Sequence, residues 1–209
     1  MFQRLNFKRV PGRASFCLPW VVGIILLVIA RPTAGQCPFA WRAGEGLPGL
    51  GDIGGAGGLR ALTTWDPDGV GPAQSLLIAG GTFISAGNVL AENIASWNGT
   101  SWQSLGAGMN FTVASLAVYN GQLIAAGYFT TAGGASASRI ARWDGTTWQA
   151  LGAGMNSAVY ALAVYDGELI AGGEFTTAGG VTANHIARWD GTSWQPLGSG
   201  MSSTVYALT

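Results

Sequence analysis

Apolar and polar positions along this chain come in short strand-length bursts rather than helical stripes. Within residues 151–196, Val159-Tyr-Ala-Leu-Ala-Val-Tyr165 is apolar and rich in strand formers. Asp166-Gly167 follows as a two-residue hairpin signal, and Glu168-Leu-Ile-Ala-Gly-Gly-Glu-Phe175 reads as the return strand. A loop from Thr176 to His185 leads to a third strand, Ile186-Ala-Arg-Trp189. Asp190-Gly191-Thr192 turns the chain into a fourth, Ser193-Trp-Gln-Pro-Leu197. No stretch holds a helical apolar period, and glycine interrupts every candidate helix.

The pattern returns every 46 residues: Ile94-Ala-Ser-Trp97 recurs as Ile140-Ala-Arg-Trp143 and Ile186-Ala-Arg-Trp189. Residues 94–139 and 140–185 are identical at 30 of 46 positions without a gap. Four short antiparallel strands per repeat, joined by tight turns, predict a β-propeller blade. The blades fall at about 50–104, 105–150 and 151–196, the first with a longer hairpin from Asp66 to Ser75, and residues 197–209 begin a fourth. The fold expected is therefore an all-β, incomplete propeller of about three and a fraction blades. Rings close with about 4–8 blades, so the sequence reads as the N-terminal part of a longer protein, whose isolated form presents bare edges and self-associates. Small residues such as Ala161 and Ala163 suit the crowded innermost strand. Trp143 and Trp148 are expected to be structural, and Gly172 and Gly173 to mark close backbone approach.

Composition changes the picture at the N-terminus. Arg4, Lys8, Arg9 and Arg13 precede an apolar run from Phe16 to Ala30, and Thr33-Ala34-Gly35 supply small residues. This is the layout of a signal peptide, residues 1–35, cleaved after Gly35, with a lead-in over residues 36–49. The competing reading is a retained N-terminal membrane anchor, for which the run, interrupted by Pro19, is shorter than the roughly 20 residues a span needs. Without residues 1–35 the chain holds five basic and ten acidic residues, a formal charge of −5, and no lysine. Binding nucleic acid through its phosphates is disfavoured. Cys37 is then the one cysteine, either a free thiol or the partner of a cysteine beyond Thr209.

A strand ending in Gly-Gly, followed by an aromatic on the third strand and a tryptophan on the fourth, resembles the kelch motif. Here it reads Ile78-Ala-Gly-Gly81 with Trp97 and Trp102, and Ile170-Ala-Gly-Gly173 with Trp189 and Trp194. The second repeat departs, with Ala126-Gly127, and the aromatics lie closer together than in typical kelch repeats. Residues 41–209 are similar to kelch-like repeats of secreted bacterial proteins and of fungal cortical proteins. The resemblance implies a propeller and no particular activity.

Candidate chemistry is sparse. His185 is the single histidine, which excludes a multi-histidine metal site and leaves a catalytic triad dependent on a loop end expected to face solvent. Asp144, Asp166 and Asp190 precede glycine where Asn98 and Asn120 stand elsewhere, so they read as turn residues that tolerate left-handed backbone angles. Glu168 and Glu174 lack equivalents in the neighbouring repeat and make no glycosidase-like pair. Asp66-Pro-Asp68-Gly69 has the opening of a calcium loop without its remaining ligands, and reads as a hairpin tip. Asn98-Gly-Thr100 and Asn110-Phe-Thr112 match the glycosylation acceptor pattern. No catalytic residue, metal or cofactor is expected.

The function these features point to is a secreted, non-enzymatic binding or surface-scaffold module. The alternative is the propeller part of a larger secreted enzyme whose catalytic residues lie beyond residue 209. Loops carry function while repeated strands carry the fold. The connections from fourth to first strand (Gly106–Thr112, Gly152–Ala158) and second to third (Thr130–Arg139, Thr176–His185) share one face, rich in Thr, Ser, Asn and Gly. Asn110, Thr130, Thr131, Arg139, Asn156, Thr176, Thr177, Asn184 and His185 are the candidate contacts on it, for a glycan, peptide or protein ligand. As exposed loop positions, Asn156→Ala and His185→Ala are expected to cost within roughly 0.5 kcal/mol.

Overall fold

A computed structural model of the chain describes residues 50–51, 58–69 and 71–209. The leader, the lead-in and Cys37 lie outside the described residues. After β1 (Leu50–Gly51), the first blade runs β2 (Gly58–Trp65), β3 (Leu76–Thr82), a small hairpin of β4 (Ser85–Ala86) and β5 (Val89–Leu90), β6 (Ile94–Trp97) and β7 (Trp102–Ser104). The second repeats it as β8 (Val113–Tyr119), β9 (Gln122–Gly127), β10 (Thr131–Ala132), β11 (Ala135–Ser136), β12 (Ile140–Trp143) and β13 (Trp148–Ala150). The third comprises β14 (Val159–Tyr165), β15 (Glu168–Gly173), β16 (Thr177–Ala178), β17 (Val181–Thr182), β18 (Ile186–Trp189) and β19 (Trp194–Pro196). Three antiparallel four-stranded sheets result, ordered β2-β3-β6-β7, β8-β9-β12-β13 and β14-β15-β18-β19. No helix occurs among the described residues, and the fold is an incomplete β-propeller.

The inner strands stand side by side, β8 between β2 and β14. The Leu162 amide donates to Ser115 Oγ at 3.0 Å across two of them. The core lies between successive blades: Ile124 and Ala126 of one cluster with Val159, Ala171 and Phe175 of the next. Residues 197–209 continue this stacking. A methyl built on Gly80 would lie 2.6 Å from Val113 Cγ1, and one on Gly172 lies 2.6 Å from Val205 Cγ1, so Val205 seats on the third blade as Val113 does on the first.

The Gly-Gly motif has two different causes. At Gly81, Gly127 and Gly173 a Cβ would meet the backbone carbonyl oxygen of Gly58, Thr112 or Ala158 at 2.1–2.2 Å, which no side-chain adjustment relieves. At the first glycine the obstacle is only side-chain atoms, of a valine and a leucine, and Ala126 occupies that position in the second blade, fully buried.

The tryptophans hold the outer hairpins. Trp143 and Trp148 lie 5.3 Å apart at 48°, and Trp189 and Trp194 5.4 Å apart at 56°. Trp148 Nε1 donates to Leu105 O and Trp194 Nε1 to Leu151 O, both at 2.9 Å. Each pair therefore seals its own hairpin and the connection arriving from the preceding blade. Among the described residues the equivalent Trp102 Nε1 has no acceptor.

Two expectations are corrected. The connection Thr176–His185 is not plain loop: Phe175 is fully buried and β16 pairs with β17, as Phe129 and β10–β11 do one repeat earlier. Left-handed angles are adopted by Asn120 (φ 49°) and Asp166 (φ 50°), in the inner hairpins, but not by Asn98, Asp144 or Asp190. At those three turns the side chain acts as a cap. Asp144 Oδ1 accepts the amides of Thr146 and Thr147, each at 2.8 Å, and Asn98 Oδ1 accepts those of Thr100 and Ser101, each at 2.9 Å. Asp and Asn interchange there because both offer that acceptor oxygen.

Candidate ligand-binding face

The connection from fourth to first strand and that from second to third meet on one face, and asparagine joins them. Asn110 Oδ1 accepts the amides of Thr130 (2.9 Å) and Thr131 (3.0 Å), while its Nδ2 donates to Thr130 Oγ1 at 2.9 Å. Asn156 repeats all three bonds with Thr176 and Thr177. Six of the nine candidate contacts are thus two copies of one clamp, in which the asparagine side chain is engaged by two threonine amides and one threonine hydroxyl. Asn156 is a structural tie, and the expectation that its removal costs little is corrected accordingly.

Arg139 and His185 share a different task. Both are left-handed, at φ 68° and 64°, as is Asn93 at φ 64°. The Arg139 amide donates to Phe129 O while its carbonyl accepts from Gly127 N, both at 2.9 Å, and His185 bridges Phe175 and Gly173 in the same way. A residue tied at both ends steers the chain from the small hairpin into the third strand, and this holds a bulky side chain where glycine is usual. The Arg139 guanidinium donates to the Tyr128 carbonyl, and His185 Nδ1 lies 3.3 Å from Gly173 O. His185 is half-buried rather than a solvent-facing loop end. Asn184 Nδ2 donates to Ser199 O at 3.1 Å, and the Asn184 carbonyl accepts from Met201 N at 2.9 Å, tying residues 197–209 to the third blade.

The nine residues do not converge on one point, but four others do. The inner strand slips register between Val159 and Ala161, leaving Tyr160 unpaired, and a bulge of this kind re-aims a side chain. The Tyr160 ring lies 5.6 Å from that of Tyr128, tilted by 49°, and 5.4 Å from that of Tyr206, stacked within 5°. Glu174 Oε2 accepts from Ser157 Oγ at 3.2 Å and from Tyr160 Oη at 3.3 Å. Burial pushes the Tyr160 hydroxyl above the ordinary tyrosine range, with the Tyr128 hydroxyl and the Glu174 carboxylate adding to the effect. The cluster is thus three tyrosine rings beside one glutamate side chain. Sequence reading passed over it because its members come from three blades. The signal available was repeat mismatch: Thr82, Tyr128 and Glu174 share one repeat position, Ala114, Tyr160 and Tyr206 another.

The opposite face is chemically closed. Asp144 Oδ2 accepts from Thr147 Oγ1 and Gln149 Nε2 in addition to the amides on Oδ1. The backbone amides of Thr147 and Thr146 hold its carboxyl below the usual carboxylate range, and those of Ser193 and Thr192 do the same to Asp190. Glu168 pairs with Arg188 at the other end of β15 from Glu174. Asp66 and Asp68 accept from Asp68 N, Ser75 Oγ and Ala73 N, and so brace the long hairpin tip.

Repeated blades, antiparallel sheets and inter-blade cores define a β-propeller repeat protein. The family described as a domain of unknown function (DUF5122) β-propeller matches residues 120–143 and 166–189, in each case from the inner hairpin turn to the tryptophan that ends the third strand. Among solved structures, the computationally designed Ika4 protein is similar over 80% of this chain and 87% of its own, at 18% identity and a TM-score of 0.49. The computationally designed Ika8 protein is similar over 77% of this chain and 43% of its own, at 18% identity and a TM-score of 0.44. No curated protein matches the chain.

Proposed function

We propose that this chain is a non-enzymatic binding or surface-scaffold module, kelch-like in its blades and exported by its N-terminal segment, that meets its ligand with the loop-rich face. The observation that carries this reading is the contrast between the two faces. Where the blades are chemically alike, at Asn98, Asp144 and Asp190, the polar atoms are consumed by their own turns. On the loop-rich face residues 135–139 read Ala-Ser-Ala-Ser-Arg against Val-Thr-Ala-Asn-His at 181–185, and Tyr128 stands against Glu174. A scaffold that holds its backbone constant while changing side chains on one face suits recognition.

The test is a glycan and peptide array probed with the whole chain, then with residues 181–185 exchanged for Ala-Ser-Ala-Ser-Arg. Binding altered by the exchange and untouched by Asp144→Ala supports the reading. Binding that ignores every change on the loop-rich face and is lost in Asp144→Ala places the site on the opposite face and ends it. Export is checked separately, by N-terminal sequencing of protein recovered outside the cell, where Gln36 is expected as the first residue.

A further inference from the structure

We propose that Tyr128, Tyr160, Glu174 and Tyr206 form a subsite for a neutral saccharide. The inference rests on the loop-rich face being the binding face, and adds the place and the ligand class. The fold does not require these side chains: Ala114 fills the bulge of the second blade where Tyr160 stands, and Thr82 holds the position of Tyr128. Tyr206 is 75% exposed and Tyr128 42% exposed, so the aromatic surface is not explained by burial.

The geometry separates a sugar from a cation. A cage for an ammonium group needs ring faces converging on a gap. Here Tyr160 and Tyr206 are turned face to face, stacked within 5°, and Tyr128 meets Tyr160 at a tilt of 49°, so the rings contact one another instead of facing a shared gap. The Arg139 guanidinium, bonded to the Tyr128 carbonyl, adds positive charge beside the cluster. What remains is the exposed Tyr206 ring, the Tyr160 hydroxyl, Ser157 Oγ and a carboxylate with Oε1 unengaged among the described residues. A pyranose ring presents an apolar face of C–H groups and an equatorial rim of hydroxyls. The first packs on the exposed Tyr206 ring, and the second exchanges hydrogen bonds with Glu174, Ser157 and the Tyr160 hydroxyl.

The probe is a panel of neutral gluco-, manno-, galacto- and xylo-oligosaccharides, titrated calorimetrically into the whole chain at about 0.1 M and about 1 M salt. At least one series is expected to bind with the same affinity at both salt concentrations. Tyr206→Ala is expected to weaken it about tenfold and Glu174→Gln several-fold. Tyr206→Phe, which keeps the ring, retains most of the affinity, and Tyr165→Ala, at an equally exposed tyrosine at the far end of β14, leaves it unchanged. Far-ultraviolet spectra identify any variant that fails to fold, and Tyr206→Phe and Glu174→Gln then decide. The subsite is overturned if no neutral series binds, or if binding survives both Tyr206→Ala and Glu174→Gln. Saccharide binding lost in the 181–185 exchange but kept in Tyr206→Ala overturns the subsite and leaves the binding face standing. Binding restricted to lysine- or arginine-bearing peptides, and lost at high salt, overturns the ligand class.

Discussion

Single residues decide how closely blades approach and how turns are held. Gly173→Ala drives a methyl into the Ala158 carbonyl oxygen 2.2 Å away and is expected to cost about 3 kcal/mol or more. Gly172→Ala meets only side-chain atoms, of Val205 and Leu208, and Ala126 shows the position accepts a methyl, so about 1 kcal/mol or less is expected. Urea titration of the two variants checks the contrast, and equal losses would refute the separate causes assigned to the motif. Asn156→Ala removes three hydrogen bonds and is expected to cost about 1–2 kcal/mol. The cap at Asp144 also gives a pH dependence of known sign. Its carboxyl ionises more readily folded than unfolded, so its stabilisation is full above the unfolded pKa and fades on acidification below about pH 4. Asp144→Asn keeps the acceptor oxygen, as Asn98 does, and removes the charge. Its urea midpoint is expected to fall less than that of the unaltered protein between about pH 5 and pH 2.

At the scale of the element, the outer hairpin depends on its indole pair. Trp148→Ala is expected to cost about 3–5 kcal/mol, because it removes a buried ring together with the bond to Leu105 O. His185→Ala is the comparison, with a loss that stays well below this; similar losses in denaturant titrations would mean the core is misassigned. These hairpins, and the inner ones at Asn120-Gly121 and Asp166-Gly167, were legible because period-2 strands and turn residues are local signals that a 46-residue repeat presents more than once. The small hairpins were not, since two-residue strands such as Thr177–Ala178 carry no period and are held by Phe175 and by Gly154 O, which belongs to the preceding connection. The tyrosine–glutamate cluster was hidden for a related reason. Tyr128, Tyr160 and Tyr206 are far apart in sequence, and only blade-to-blade stacking and a bulge bring them together.

For the whole molecule, the leading face of the first blade exposes apolar side chains whose equivalents in the later blades are covered. Leu59 is 40% exposed where Val113 and Val159 are fully buried. Leu62, 41% exposed, stands where Leu116 packs beside Gly80. Residues 1–209 alone are therefore expected to self-associate with rising concentration, and Leu62→Glu to reduce it, as read by sedimentation velocity. A concentration-independent monomer would argue that this face is covered. The paired tryptophans offer an optical handle on the same stacking. Indole transition dipoles so near and so tilted couple excitonically, and each pair then gives two far-ultraviolet circular dichroism bands of opposite sign. Because the preceding blade's Leu-Gly connection holds Trp148 and Trp194 in place, the couplet of the second and third blades reports whether that neighbour is folded. Its stepwise loss during denaturation would count blades as they come undone, without any label being attached.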